Sequence, residues 1–347
     1  MIDLVYRGLV ARFAAAGVVL AAFALLTLSV TVLAGHWQQT EMSQEEIYCR
    51  LGSAEDQIPL SQAVALLIRL LNEDRQEVGL QPVVRDPAAM ISARVHAQEM
   101  ANYRYLSHLD LAGCKPTWRY NAAGGTDQVA ENLSYWEGNA RIYLTPQLVH
   151  DIEERWMNSD EHRLNILAPA HTGVGVSIVL LWDGEKSVLT AAQEFVDDYG
   201  DFSRLPAKAS SHDTLELDGR LDEGVRIGFV GIGYEPLPEP QLPSKLNAEL
   251  NGYSLPHAFV GILPVGERFR RHFSSMPTLY LLQSEPARGR IRLKVTLEEV
   301  FAALQSSHFP AGEIGEFKPG LYYFLVFAST EKFHQFVISA QVVEIRS

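Results

Sequence analysis

Basic residues are scarce in this 347-residue chain, which has 29 Lys and Arg against 42 Asp and Glu and a formal net charge of −13. A surface of that sign repels phosphate backbones, so nucleic acid is excluded as a partner and anionic lipid head groups are not attracted. Hydrophobic residues make up 47% of the chain. That content supports more than one core, since domains usually have roughly 100–200 residues.

Charge is missing altogether from the stretch between Phe13 and Ala34. A bilayer-spanning helix needs roughly 20 apolar residues, and this run is long enough. Arg7 and Arg12 precede it and glutamates follow it, which favours a cytoplasmic N-terminus. We predict a cytoplasmic segment (1–12), a single-pass membrane anchor (13–35) and a linker (36–58), with the bulk of the chain outside the cytoplasm. The alternative is a cleaved signal peptide and a secreted protein, although secretory apolar regions span only about 7–15 residues.

Cysteine occurs only at Cys49 and Cys114. Outside the cytoplasm two such thiols can form a disulfide, which would stabilise the fold by roughly 4 kcal/mol in the chain-entropy model. We favour the disulfide over two free thiols, one of them buried.

Helix and strand patterns alternate between residues 59 and 200. Apolar residues spaced by three and four predict a helix from Ser61 to Gly79, Asp86 and Pro87 begin a second, and Pro146 begins a third. Strands are predicted at Val129–Tyr135, Thr172–Leu181 and Ser187–Val196. A long loop is predicted at Leu109–Asp127. This mixture indicates an α/β sandwich.

Strand patterns dominate after a polar linker at 201–213. The predicted strands are Thr214–Leu221, Val225–Ile232, Thr278–Leu282, Arg290–Thr296, Gly320–Ala328 and Phe336–Ile345. One helix is predicted at Leu297–Leu304. A proline-rich stretch from Glu235 to Pro243 favours extended backbone, and we interpret it as an inter-strand loop in preference to a ligand for a proline-binding module. We therefore predict a β-rich, sandwich-like C-terminal domain over 214–347.

Two histidines and a glutamate offer chemistry in the first domain. His108 follows the second helix, Glu131 lies in an apolar strand and His162 follows the third helix. Imidazole and carboxylate groups bind zinc and also serve as general acids and bases. The two histidines lack the short spacing of a His-Glu-x-x-His motif. Separate roles in caps and core hydrogen bonds therefore remain open.

Four short strings resemble, in this order, the bacterial branch of the CAP superfamily, whose members include cysteine-rich secretory proteins, antigen 5 and plant pathogenesis-related proteins. They are Tyr105–His108, Ala130–Asn132, Trp156–Leu167 and Gly173–Val176. The third is the most specific, because its tryptophan, Asn-Ser, His-Arg and Asn-Ile-Leu all fall in place. The resemblance to this SCP-like extracellular domain covers roughly residues 60–200.

The resemblance implies an α-β-α sandwich with a cleft that holds two histidines and two acidic residues, where some members bind zinc or another divalent cation. By position the histidines are His108 and His162, and the first acid is Glu131. The second acidic position falls on Ser159, which leaves Glu161 as a substitute. Three protein ligands would leave one zinc position open for water or substrate.

Clear enzymatic activity is exceptional in this family, so the resemblance implies a binding module more than an enzyme. Its cleft would hold a lipid, a peptide or a glycan. Two alternatives stay open. One is a structural or adhesive envelope protein that acts through the β-rich domain, and the other is a metal-dependent hydrolase in which His108, Glu131 and His162 activate water.

Overall fold

The computed structural model describes residues 53–249, 252–265, 277–306 and 316–346. These residues all fall within one compact unit, Arg50–Ser347. The predicted anchor at 13–35 lies outside them, as does Cys49. Within the described part, no helix combines the length and the apolar character needed to span a membrane.

Seven α-helices lie in the described ranges. They are α1 (Leu60–Glu77), α2 (Pro87–Tyr103), α3 (Pro116–Ala122), α4 (Pro146–Met157), α5 (Asp160–Ile166), α6 (Pro243–Ala248) and α7 (Leu297–Ser306). The start of α2 follows the prediction, because the Asp86 carboxylate accepts a hydrogen bond from the backbone N–H of Ala89 at 2.6 Å and Pro87 occupies the first helical position. Arg104 ends this helix in a left-handed conformation with φ of 56°.

The first sheet has four strands in the order β1-β3-β4-β2. They are β1 (Val84–Arg85), β2 (Gln128–Gly138), β3 (Gly173–Trp182) and β4 (Ser187–Asp197). Side chains alternate between the two faces of a strand. On β4, Leu189 and Ala191 pack with the helices α1 and α4, while Ala192 packs with α2. The sheet therefore lies between helices on both faces, which is the predicted α-β-α arrangement.

The predicted loop at Leu109–Asp127 is wrong in its middle, because α3 occupies Pro116–Ala122. This helix has only seven residues, too few for a recognisable apolar period or for stability on its own. Its stability comes from tertiary packing, since Thr117, Arg119 and Tyr120 are all buried. The local sequence around α3 does not predict these tertiary contacts.

The β-rich region forms a nine-stranded sheet in the order β5-β7-β11-β10-β9-β8-β12-β13-β6. Its strands are β5 (Gly200–Phe202), β6 (Lys208–Ser210), β7 (Leu215–Leu221), β8 (Arg226–Glu235), β9 (Ala258–Pro264), β10 (Thr278–Glu285), β11 (Arg290–Val295), β12 (Gly320–Ser329) and β13 (Phe336–Arg346). All six predicted strands are present. The structure adds β9, and it adds β5 and β6 within the segment predicted as a linker.

The predicted sandwich implied separate sheets, whereas the described strands pair in one continuous order. The parallel pairing of β9 with β10 connects the two antiparallel groups. Alternation of apolar residues predicts strands but not their partners, which explains the difference. Helix α7 packs Leu297, Val300 and Phe301 into the core of this region.

Candidate functional site

His108 and Glu131, which the sequence predicts to share a site, are in direct contact. The Nδ1 atom of His108 lies 2.9 Å from Oε1 of Glu131. The Glu131 side chain is fully buried, whereas that of His108 is 24% exposed. The alternation of β2 explains the position of Glu131, because it places this residue with Leu133 on the face of the sheet that packs with α2.

Arg119 on α3 holds this pair together. Its Nη2 atom donates to Oε2 of Glu131 at 2.6 Å, and its Nη1 atom donates to the carbonyl oxygens of His108 at 2.9 Å and Cys114 at 3.1 Å. Burial on its own would raise the pKa of Glu131. The charges of Arg119, His96 and His108, together with the hydrogen bond from His108, outweigh burial, so the pKa of Glu131 is lowered to about 2. Arg119 was not predicted as a site residue, because its position lies in the segment predicted as a loop.

Glu194 on β4 faces Glu131 across the strand pair. Its Oε1 atom accepts a hydrogen bond from Ser92 Oγ at 2.7 Å, and its Oε2 atom has no hydrogen-bond partner among the described residues. Burial, followed by the charge of Glu131, raises the pKa of Glu194 well above its ordinary value. The floor of the site therefore holds two buried carboxylates whose pKa values are shifted in opposite directions.

His162 lies on α5, half-buried at the other face of the edge strand β2. Its carbonyl oxygen accepts a hydrogen bond from Asn132 Nδ2 at 3.0 Å. Burial lowers the pKa of His162, and the nearby His108 lowers it further. The charge of His108 thus reaches His162, while the backbone of His162 contacts Asn132, which alternates with Glu131 to the opposite face of β2. Glu161, the suggested substitute acid, has an exposed side chain.

These side chains do not fit a zinc ion that uses Glu131 as a ligand. In the described ranges, no group of three or more His, Cys, Asp and Glu side chains is arranged to hold a metal ion. Both oxygens of Glu131 are already engaged, one by His108 and one by the cationic Arg119. A guanidinium at that distance repels a second cation. Zinc binding stays a prediction from the sequence.

Cys114 lies beside this site. Its side chain is buried, it forms no disulfide within the described residues, and its carbonyl oxygen is a partner of Arg119. Burial raises the pKa of the Cys114 thiol to about 12. The predicted disulfide stays untested, because Cys49 lies outside the described residues.

A segment of the β-rich region runs along the loop that carries His108. We call residues 236–249 and 252–255, which lie between β8 and β9 and include α6, the strap. The backbone N–H of Gln241 donates to the carbonyl oxygen of Leu111 at 2.8 Å. The strap also passes so close to Gly113 that a Cβ atom there would lie 2.6 Å from the carbonyl oxygen of Glu239.

Two adjacent strap residues anchor α6 to the same loop. Leu246 is buried in the apolar cluster that contains Met100 and Tyr105. The amide of Asn247 accepts a hydrogen bond from the backbone N–H of Leu106 at 2.9 Å and donates one to the carbonyl oxygen of Arg104 at 2.9 Å.

Tyr253 brings the strap to the site itself. Its ring centroid lies 5.0 Å from that of His108. Burial raises the pKa of the Tyr253 hydroxyl, and the carboxylates of Glu131 and Glu194 raise it further. Lys115 Nζ donates to the carbonyl oxygen of the next residue, Ser254, at 2.6 Å. The Tyr253 phenol thus lies beside His108 and close enough to Glu131 and Glu194 for their charges to affect it.

Two open grooves lie elsewhere on the surface. One, of about 570 Å³, lies on the β-rich sheet among Asp218, Arg220 and Arg292. The other, of about 310 Å³, lies between the start of α2 and the end of α3. Neither includes His108, Glu131 or His162.

The contact between His108 and Glu131 lies at a four-stranded sheet with helices on both faces. This part of the chain matches a known protein family. Residues 68–195 match the model of the cysteine-rich secretory protein family, CAP. This segment is a CAP domain. The match spans His108, Glu131 and His162, and it confirms the resemblance predicted from the sequence.

A bacterial protein is similar to part of the chain. The uncharacterized protein YkwD of Bacillus subtilis (strain 168) is 30% identical over 113 residues, which cover 33% of this chain and 41% of YkwD. The chain therefore matches less than half of that relative's length.

Two solved structures are also similar to the CAP domain. An extracellular protein containing an SCP domain from Bacillus anthracis str. Ames is 21% identical with a TM-score of 0.32, over 40% of this chain and 41% of that one. An outer surface protein from Borrelia burgdorferi is 15% identical with a TM-score of 0.33, over 40% of this chain and 97% of that one.

Proposed function

We propose that this chain is an extracytoplasmic CAP-domain protein, attached to the membrane by its N-terminal segment, that binds peptides in the cleft at His108, Glu131 and His162. The location is supported by the uncharged run from Phe13 to Ala34 and by the arginines before it. The geometry of the cleft supports peptide binding as the function.

The main support for peptide binding is that the loop from 104 to 115 already holds a polypeptide segment, the strap, by hydrogen bonds. Main-chain atoms of Arg104, Leu106 and Leu111 form hydrogen bonds with the strap. The side chain of Lys115 binds a strap carbonyl oxygen. A surface that already satisfies donors and acceptors of a peptide is suited to peptides of the same chemistry.

The polar floor of the cleft argues against the lipid that the sequence analysis also considered. Arg119, Glu131 and Glu194 are buried there, and an acyl chain above them would offer no hydrogen bonds to polar groups that it removes from water. A peptide supplies amide and hydroxyl groups that can bind these residues. The apolar pocket that Leu246 occupies suits one aliphatic side chain.

The geometry also favours binding over hydrolysis. A general base works best with a pKa near the operating pH, and the pKa of Glu131 is lowered to about 2. The nearby Ser107 is not set up as a nucleophile, since its Oγ accepts a hydrogen bond from the backbone N–H of Leu109 at 3.0 Å. The hydrolase hypothesis, in which His108, Glu131 and His162 activate water, therefore lacks an effective base at Glu131.

Peptide selection from a random library on the full-length protein, in detergent or nanodiscs, tests the proposal. We expect peptides whose affinity falls at least about tenfold in His108→Ala, while His150→Ala, at an exposed position on α4, binds as the wild type does. Lipid vesicles and glycan fragments are assayed in parallel. Binding of these ligands alone, or peptide binding that His108→Ala does not change, would refute the proposal.

A further inference from the structure

We propose that the strap is an intramolecular ligand that occupies the CAP cleft, and that an external peptide reaches His108 and Glu131 only by displacing it. The inference rests on the proposed function and adds the class of ligand to it. That ligand is a peptide with an aliphatic residue followed by asparagine, and with an aromatic residue six positions after the asparagine, as in Leu246, Asn247 and Tyr253 of the strap.

The contacts of the strap are those of a bound peptide. Leu246 fills an apolar pocket, and its neighbour Asn247 binds one main-chain donor and one main-chain acceptor of the loop. Such a bidentate amide contact fixes the register of a peptide in a groove, because shifting the chain by one residue would leave both main-chain groups unpaired.

Tyr253 then places an aromatic ring over the polar floor. Its ring contacts the His108 imidazole, and its hydroxyl lies where the charges of Glu131 and Glu194 reach it. The ring covers part of His108, whose side chain is still 24% exposed, so an external peptide that uses the whole imidazole would have to displace it. Competition between the strap and any external peptide follows from this overlap.

The strap can leave without unfolding the molecule. Of its described residues, Leu246 is buried and the Tyr253 side chain is partly buried with its hydroxyl shielded from water, while Leu237 and Leu242 are 41% and 70% exposed. Its one helix, α6, has six residues and depends on the loop for its stability. The strands before and after it, β8 and β9, pair with each other in the sheet and do not need the strap. A segment with so few buried contacts opens at low free-energy cost.

A labelled synthetic peptide with the sequence of residues 236–255 tests the inference by fluorescence anisotropy on the full-length protein. When the strap occupies the site in most molecules, an external peptide binds only to the fraction from which the strap is displaced. The apparent Kd of that peptide is its intrinsic Kd divided by this fraction, called the open fraction. Raising that fraction from about 1% to about 10% would therefore tighten apparent binding about tenfold. We expect Asn247→Ala and, independently, Tyr253→Ala to bind the labelled peptide at least about tenfold more tightly than the wild type does.

Two controls make the test specific. Lys245→Ala changes an exposed strap residue of α6 and should bind like the wild type. A labelled peptide that itself carries the Asn247→Ala and Tyr253→Ala changes should bind every protein more weakly. Circular dichroism of each variant shows whether it is folded, and the two separate strap variants protect the test from the failure of either one.

The possible results distinguish failure of the strap proposal from failure of the proposed peptide-binding function. Tighter binding to both strap variants supports the inference. Equal binding to the wild type and to the variants overturns the inference while leaving a peptide-binding cleft. Binding to none of the proteins, together with failure of the library selection, overturns both.

Discussion

The ring of Tyr253 lies 5.0 Å from the imidazole ring of His108, measured between centroids, and the two planes are tilted by 55°. One residue belongs to the strap of the β-rich region, and the other to the loop that follows α2 of the CAP domain. The β-rich region is therefore part of the candidate site as well as a neighbour of the CAP domain. This contact limits access to a histidine that would otherwise face the cleft.

Removing this ring should expose His108 to chemical modification. We expect Tyr253→Ala to increase severalfold the rate at which diethylpyrocarbonate modifies His108, followed site by site by mass spectrometry. Tyr103→Ala, at a tyrosine that is 55% exposed on α2, is the matched control and should leave the rate unchanged. His96 is fully buried and should stay unreactive in every variant. An unchanged rate at His108 would show that Tyr253 does not cover it.

Zinc should not bind tightly through Glu131. The Arg119 guanidinium and His108 occupy the two carboxylate oxygens, so a metal would have to displace a buried ion pair. Calorimetric titration of the full-length protein with zinc should therefore give no tight one-to-one binding that depends on this residue. Tight binding that disappears in His108→Ala, Glu131→Ala and His162→Ala would contradict this expectation and establish a metal site.

Replacing Arg119 should strongly destabilise the protein. Arg119→Met leaves the Glu131 carboxylate buried without its partner, a loss of about 3–5 kcal/mol for pairs of this kind. Urea unfolding measures the difference. Adding Glu131→Gln should recover part of the loss, because the uncompensated charge disappears. Arg155→Met, at an exposed arginine of α4, is the control and should change little. A small effect of Arg119→Met would mean that the guanidinium is not needed to hold Glu131.

The same pair predicts a pH dependence. Because the folded pKa of Glu131 is lowered to about 2, its ionised form stabilises the folded state above the unfolded pKa of about 4.3. That contribution is lost as the pH falls from about 4.3 towards about 2. In Glu131→Gln this part of the acid sensitivity should be missing from stability curves measured between those two pH values.

Local sequence patterns predict much of this fold but only part of the site. The Asp86-Pro87 pair predicts the start of α2, because capping depends on neighbouring residues. The strand β9 and the short helix α3 were missed, since their stability depends on partners far away in the chain. The pattern of apolar residues contains no information about register, so it did not predict that Glu194 faces Glu131.

The site residues also divide into those that short sequence strings identify and those whose roles depend on tertiary contacts. His108 and Glu131 were found through the resemblance of their strings to a family, and the structure brings them together. Arg119 and Tyr253 were missed because neither lies in those strings. Their roles depend on tertiary contacts, one within the CAP domain and one from the strap. A search for a buried cation to balance Glu131 could have suggested Arg119.

Glu153 on α4 should make the protein less stable as the pH rises. Its side chain is buried, and burial, followed by the charge of Asp74, raises its pKa to about 8. The unfolded state releases this proton near pH 4.3, so stability falls by about 1.4 kcal/mol per pH unit between about 4.3 and about 8. Glu153→Gln should therefore be more stable than the wild type at pH 8 and similar to it at pH 4. Glu154→Gln, at the exposed neighbouring position, should retain the wild-type slope.

Asn121 on α3 should couple the stability of the CAP domain to that of the β-rich region. Its Nδ2 atom donates to the carbonyl oxygen of Ala340 at 3.1 Å, and its Oδ1 atom accepts from the backbone N–H of Val342 at 2.9 Å. Trp118, on the same helix, packs against the apolar cluster that contains Tyr323. Because these contacts connect the two regions, thermal unfolding of the wild type should be a single cooperative transition.

Asn121→Ala removes these two hydrogen bonds to β13 and leaves the main-chain groups of Ala340 and Val342 without these partners. We expect a loss of about 2 kcal/mol in the free energy of unfolding. Asn102→Ala, at an exposed position of α2, is the matched control and should change it by less than about 0.5 kcal/mol. If the wild type showed two separate transitions, or if Asn121→Ala shifted only the CAP transition, then the β-rich region would fold independently and the strap would be the main connection between them.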